Sequence, residues 1–206
     1  AKRKNEAAAL RAEIAWRKCQ PTGGCAYLER KGVKAYGLRF SPAGNMGVPM
    51  LGAERRVHGL QVIYAEKKGG RDKDFWPAGL AKKGHFFLIG NPDRILLVAE
   101  GYATAASLHE ATGHPVAVAF DAGNLLPVAQ AVHKKWKRAR VLICADDDYR
   151  TEGNPGVTHA NTAALAVDGS VLAPVFSDER PVDHKGPTDF NDLHQIEGLH
   201  VVAKQV

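Results

Sequence analysis

Three acidic groups carry the chemistry this sequence can be expected to perform. Glu100-Gly101 follows the apolar run Ile95 to Ala99, Asp146-Asp147-Asp148 follows Val141 to Ala145, and Asp189-Phe190-Asn191-Asp192 comes after the last apolar run. Carboxylates gathered in one place repel one another, which raises their proton affinity unless a cation sits among them. Hard oxygen donors of this kind suit Mg2+ or Mn2+. Each group also has a plain structural reading. Glu100 can be a loop or cap residue, Asp146 to Asp148 a solvated turn, and Asp189 the N-cap of a helix beginning near Asn191. Order and spacing together point to a site more specifically than any one group does.

The elements that must position these residues follow from periodicity. After Asn91-Pro92, short β-rich runs alternate with helical ones, the signature of βαβ units and a parallel sheet. The strands expected are Ile95 to Ala99, Val116 to Phe120, Val141 to Ala145 and Val171 to Val175, with helices at about Ala103 to Ala111, Leu125 to Lys137 and Val157 to Val167. Ligand sites of open parallel sheets lie at the carboxyl ends of the strands, where Glu100 and Asp146 fall. Before residue 90 the pattern differs. Asn5 to Lys18 reads as a helix, with Leu10 and Ile14 one turn apart, and Ala26 to Lys31 as a second helix stopped by Gly32. Val48 to Leu51, Gly59 to Tyr64 and His85 to Ile89 read as a small antiparallel unit. The fold class is therefore α/β, a parallel sheet flanked by helices and preceded by a small, basic α+β subdomain, with domains at 1–90 and 91–206.

Composition supports a folded chain. Of 206 residues, 45% are hydrophobic and 24% charged, which provides for a core and excludes disorder. The net charge of +6 is unevenly divided. Residues 1–90 hold 18 basic and 7 acidic groups, or +11; residues 91–206 hold 10 and 15, or −5. Such asymmetry implies a half that meets a polyanion and a half that holds cations. Three cysteines, Cys19, Cys25 and Cys144, make no even disulfide framework and no paired zinc spacing, so a reducing cytoplasm is the expected compartment. No run is long and apolar enough for a membrane span or a signal peptide. The start Ala1-Lys2-Arg3-Lys4, without Met, is read as the cut end of a longer protein.

The run Ile95-Leu96-Leu97-Val98-Ala99-Glu100-Gly101-Tyr102, then Ala145-Asp146-Asp147-Asp148, then Thr188-Asp189-Phe190-Asn191-Asp192-Leu193 resembles the Toprim domain. This is the metal-binding α/β module of DnaG-type primases, topoisomerases and some nucleases. Upstream, Tyr27 to Val33 and Gly59 to Ile63 resemble the segment that precedes Toprim in plasmid and phage primases. The resemblance runs from about Trp16 to His194. It implies that Glu100 acts as acid, base or metal ligand, that Asp146 and Asp148 bind divalent metal with Asp147 in the variable middle place, and that Asp189 and Asp192 complete the set. Two departures stand out: Asp-x-x-Asp replaces the Asp-x-Asp of the housekeeping enzymes, and Thr104 stands where those enzymes often carry Asp. Gly123-Asn124 resembles a family loop beside the site, and a plain turn is the other reading.

The activity implied is that of a primase catalytic core, which makes short RNA primers from NTPs on a single-stranded DNA template with Mg2+ or Mn2+. A zinc-binding module before it and a helicase or other replication protein after it are the implied companions. A Toprim nuclease and a non-catalytic single-strand-binding module are the alternatives. The basic half then has a role: Arg55, Arg56, Lys67, Lys68, Arg71, Lys73, Lys82 and Lys83 are interleaved with Tyr64, Phe75 and Trp76, a mixture that attracts phosphates and can stack bases. Lys73, Lys83, Arg71 and Arg56 are the candidates for nucleic-acid or nucleotide contact, ahead of Lys2 and Lys4, which are read as lying at an unanchored terminus. Phe75 and Trp76 can equally belong to the core. No Walker A or Gly-x-Ser-x-Gly sequence is present. The nine histidines, from His58 through His184 to His200, show no ligand spacing.

Overall fold

The computed structural model describes residues 2–52, 54–177, 180 and 186–206; His184 lies outside them. Contacts divide the chain into two compact units, Ala1–Phe87 and Leu88–Val206.

In the first unit, α1 (Lys2–Lys18) forms from an alanine-rich run, and alanine loses no side-chain entropy on entering a helix. Its buried residues are Ala8, Ala9 and Ala12. Leu10 and Ile14, the apolar pair expected from spacing, are instead 56% and 48% exposed. Small side chains let α1 lie close against its neighbours: Ala12 clusters with Val57 and Leu60, and Trp16 and Trp76 pack around them. α2 (Ala26–Lys31) stops at Gly32, whose φ of 61° is the left-handed conformation glycine adopts without strain.

Four antiparallel strands, β1 (Arg39–Phe40), β2 (Met46–Leu51), β3 (Val57–Lys68) and β4 (Arg71–Trp76), lie in that order. Gly69 and Gly70, both at positive φ, connect Lys68 to its partner Arg71, the backbone a tight hairpin requires. The charged sequence Arg71-Asp72-Lys73-Asp74 shows no strand signal, yet forms the edge of this sheet. An edge strand tolerates charge because one side of its backbone is unpaired. The segment His85 to Ile89, assigned by pattern to this unit, is divided. Phe86 bridges to Leu51, while β5 (Phe87–Ile89) joins the larger sheet.

The larger sheet has the order β5-β7-β6-β8-β9, with β6 (Ile95–Ala99), β7 (Val116–Val118), β8 (Arg140–Cys144) and β9 (Ser170–Leu172). β6 pairs in parallel with both β7 and β8, and β8 with β9. Leu96 to Ala99 of central β6 are fully buried, as the uninterrupted apolar run requires of a strand covered on both faces. The helices pack in two groups: α3 (Tyr102–Thr112) with α6 (Phe190–Glu197) and α7 (Leu199–Gln205), and α4 (Leu125–Lys135) with α5 (Pro155–Leu165). Where α3 meets α6, Ser107 Oγ lies 2.9 Å from His194 Nδ1 and accepts from Asn191 Nδ2 at 3.0 Å. Among the described residues no helix is long and apolar enough to cross a membrane.

The alanine stripe on α1 generates a test. Ala12→Leu should overpack the contact and lower stability by about 1–3 kcal/mol, while Leu10→Ala should stay within about 0.5 kcal/mol of the parent. Urea unfolding of both variants measures this; the reverse ranking would place the wrong face of α1 inward.

Candidate metal centre and nucleic-acid face

β6 and β8 run in register from Ile95 opposite Arg140 to Ala99 opposite Cys144. Their carboxyl ends therefore coincide, and Glu100 and the Asp146–148 loop leave the sheet at neighbouring positions. The exits are fixed by backbone bonds. Phe120 N donates to Glu100 O at 2.8 Å, and Ala145 N donates to Leu172 O at 2.8 Å. Glu100, Asp146, Asp147 and Asp148 are all half-buried.

The three aspartates differ in their attachments. Asp147 is the anchor: its Oδ1 accepts from Asn154 Nδ2 at 2.6 Å, and its Oδ2 pairs with the Arg180 guanidinium at 2.5 Å. That guanidinium lies 4.2 Å from the Tyr149 ring centroid and 5.0 Å from that of Phe176, a cation–π arrangement that holds it in place. Asp148 Oδ2 accepts from Gly156 N at 3.1 Å, in the first turn of α5. The approach there is close. A Cβ on Gly156 would stand 2.1 Å from the carbonyl oxygen of Asp146.

Asp147 N donates to Thr188 O at 2.8 Å, which joins this loop to the third acidic group. Asp189 is the N-cap of α6, as the plain structural reading has it. Its Oδ1 accepts from Asn191 N and Asp192 N, while Asp192 Oδ2 accepts from Thr188 N and Asp189 N, a reciprocal capping box. Burial pushes the Cys144 thiol far above its usual range, and the charge of Asp146 pushes it further, so Cys144 is a neutral packing residue and no nucleophile. The donors, all carboxylates, have the chemistry of a site for a hard divalent cation. Among the described residues no three His, Cys, Asp or Glu side chains converge closely enough to hold one.

A family model described as the Toprim domain matches residues 95–200, which spans the strands, the carboxylates and α6 just described. The chain belongs to the Toprim family. Over 183 residues it is 36% identical to the Escherichia coli protein named DNA primase TraC; the match covers 82% of this chain and 12% of that protein, so the chain spans a small part of its relative's length. In fold it is similar to the DnaG primase catalytic domain bound to ssDNA, with TM-score 0.67, 14% identity, and coverage of 100% of this chain and 79% of the other. It is also similar to the Aquifex aeolicus primase fragment containing zinc-binding and RNA polymerase domains, with TM-score 0.63, 14% identity, and coverage of 100% and 62%. At such identities the likeness is one of fold.

Within the Toprim unit, Thr104 is 2% exposed in the first turn of α3. The Asn124 side chain is buried, and its Nδ2 donates to Ala119 O at 2.8 Å, a bond that braces its own loop. Its neighbour Gly123 is exposed. The residues that sequence reasoning misses are Asn154, Gly156 and Arg180. They act on Asp147 and Asp148 from 7, 8 and 33 positions away, and only the Asn154-Pro155 helix start carries a sequence signal.

In the first unit, alternation along β4 places Lys73 and Phe75 on one face and Asp74 and Trp76 on the other, while Arg71 lies at the hairpin end, where the register with β3 is irregular. Lys82 Nζ stands 5.0 Å from the Phe75 ring centroid, so that face is basic and aromatic. Trp76 belongs to the core cluster, and the pairing of Phe75 with Trp76 suggested by sequence is split between faces. Arg71 is 3.6 Å from Asp74, whereas Lys73 is exposed with no ion pair among the described residues. Arg56 is not on this face but lines a cleft of about 390 Å3 with Lys2, His58 and His85. Lys2 and Lys4, expected at an unanchored terminus, lie within α1. The rings of His58 and His85 are 4.1 Å apart, and His58 Nε2 lies 2.6 Å from Glu54 Oε1.

Gly156→Ala should drive α5 from the aspartate loop and cost about 1–3 kcal/mol. Gly24→Ala, where a Cβ meets nothing within 4 Å, is the control and should be near neutral. Denaturant unfolding of the pair checks this, and equal effects would remove the close approach as a constraint.

Proposed function

We propose that this chain is the catalytic core of a DNA primase, a nucleotidyltransferase that joins NTPs into short RNA primers on single-stranded DNA. One observation carries the reading: Glu100 and the Asp146–Asp148 loop leave adjacent, in-register parallel strands at the same end of a Toprim sheet. The primase name of the 36% identical relative supports it, as does the fold likeness to a primase domain bound to ssDNA.

Glu100, Asp146 and Asp148 would hold Mg2+ or Mn2+ together with phosphate oxygens of the bound nucleotide, since no three side chains among the described residues converge on a cation by themselves; Asp189 and Asp192, which also cap α6, are the further candidates. When bound, such a cation neutralises charge on the triphosphate and lowers the pKa of the attacking 3′-hydroxyl. The chain's own work is restraint. Asp147, tied to Asn154, Arg180 and Thr188, holds its two neighbours in place although like charges repel. On β4, Lys73 and Arg71 attract template phosphates and Phe75 offers a stacking face. Lys83, Arg56 and Gly123 are further nucleic-acid or nucleotide contacts in this reading. A helicase or other replication protein is its partner, and the cytoplasm its compartment.

Labelled NTPs, a single-stranded template and Mn2+ should yield short RNA; template shortening without synthesis would instead mark a nuclease. Asp146→Ala or Asp148→Ala should abolish synthesis while template binding stays within about twofold, and retained synthesis would sink the metal assignment. Lys73→Ala should weaken binding and reduce the slope of log K against log salt by about 0.7, the value for one phosphate contact on a single strand. An unchanged slope would remove Lys73 from the interface.

A further inference from the structure

The Toprim unit is acidic as a whole, but its cations are not dispersed. Of the ten Lys and Arg residues in 91–206, six are Arg94, Lys134, Lys135, Lys137, Arg138 and Arg140. They gather at the amino ends of β6 and β8, where Arg140 N donates to Arg94 O at 2.7 Å. There a cleft of about 370 Å3 opens between Arg94 and the segment from Lys135 to Ala139, with Asp93 as its one acidic lining residue. Five residues of strand, about 16 Å at 3.3 Å each, separate this end from the carboxylate end. That exceeds the Debye length of about 8 Å at physiological salt, so the two poles act independently.

Arg94, Lys134, Lys137 and Arg138 are exposed and make no ion pair among the described residues. In the first unit Arg17, Arg30 and Arg71 each face a carboxylate. Unrelieved like charge on one edge opposes the compact state and is relieved by a polyanion. Trp136, half-buried in the cleft, adds a planar surface, with Lys135 Nζ 5.0 Å from its ring centroid. An acidic peptide would satisfy the cations and leave the indole unused. A single strand of nucleic acid presents a phosphate and an aromatic base at every step and uses both.

We propose that this cleft is a second binding site for single-stranded nucleic acid, distinct from the carboxylate end. Arg94, Lys137 and Arg138 hold the phosphodiester backbone there, and Trp136 stacks on a base. The proposal requires only a single strand and does not rest on primer synthesis.

The test uses the full chain, fluorescein-labelled oligothymidylate and anisotropy over a salt series. Lys137→Glu with Arg138→Glu should weaken binding tenfold or more and flatten the salt slope by about 1.4, two contacts at 0.7 each. Trp136→Ala should lose about fivefold or more in affinity with the slope preserved, and Trp136→Phe should restore most of it. The same losses should appear in an Asp146→Ala background, so the result stands whether or not the carboxylates make primers. Photocrosslinking of a 5-iodouracil oligonucleotide to unmodified protein should label the Lys135–Ala139 segment. Unchanged affinity and slope in the charge-reversed protein would overturn the proposal, as would crosslinks confined to the first unit. Displacement by oligoglutamate as effective as by unlabelled oligothymidylate would assign the cleft to acidic protein partners instead.

Discussion

The in-register parallel pairing of β6 with β8 is the constraint on which the rest of the Toprim unit depends. Five consecutive pairs, from Ile95 opposite Arg140 to Ala99 opposite Cys144, bring the two strands to a common end. A slip of one residue would turn every side chain to the other face of the sheet and carry Glu100 out of step with the aspartate loop. Both strands are buried on both faces. Leu96 to Ala99 and Ile143 to Ala145 are fully buried, and only an uninterrupted apolar run satisfies that environment. The same register that places Glu100 beside the aspartate loop places Arg94 beside Arg140, so one set of backbone bonds fixes both the acidic and the basic end.

Carboxylates at a common edge repel, and the middle aspartate is tethered against that repulsion. Both oxygens of Asp147 are engaged, by Asn154 and Arg180, and its amide is bound to Thr188. Asp148 is steadied by an N–H in the first turn of α5, where backbone partial charge favours an anion. Gly156 makes that contact feasible, since any side chain there would strike the Asp146 carbonyl. Within the triplet the central residue is tied by both carboxylate oxygens and its amide, and Asp148 by one bond to the start of α5.

A division of charge at residue 90, +11 against −5, describes the chain correctly as a sum and incompletely as a distribution. The first unit does carry a basic, aromatic face on β4, but several of its arginines are paired with acids. The second unit is bipolar. Its net negative charge conceals a basic cleft, because a sum over sequence cannot show that six cations share one sheet edge while the carboxylates share the other.

Much of the fold, and the residues of the candidate site, were legible in the sequence, because the signals are local. Apolar runs of strand length alternating with helical segments specified the parallel sheet, and β6 matched its expected bounds of Ile95 to Ala99. The Glu-Gly and Asp-triplet positions followed from where ligand sites of such sheets lie. The family was carried by those same residues. What tertiary structure alone decided are matters of contact between distant segments. Charged β4 became a strand because β3 supplied its partner through two glycines at positive φ. Alanines rather than Leu10 and Ile14 faced inward on α1, because close packing against Val57 and Leu60 rewards small side chains over large ones. Asn124 proved a loop brace, Asp189 and Asp192 a capping box, and Arg180 the counterion of Asp147, 33 residues away. Sequence determined which residues could do chemistry; folding alone, by bringing remote donors to particular oxygens, decided how each of them is held.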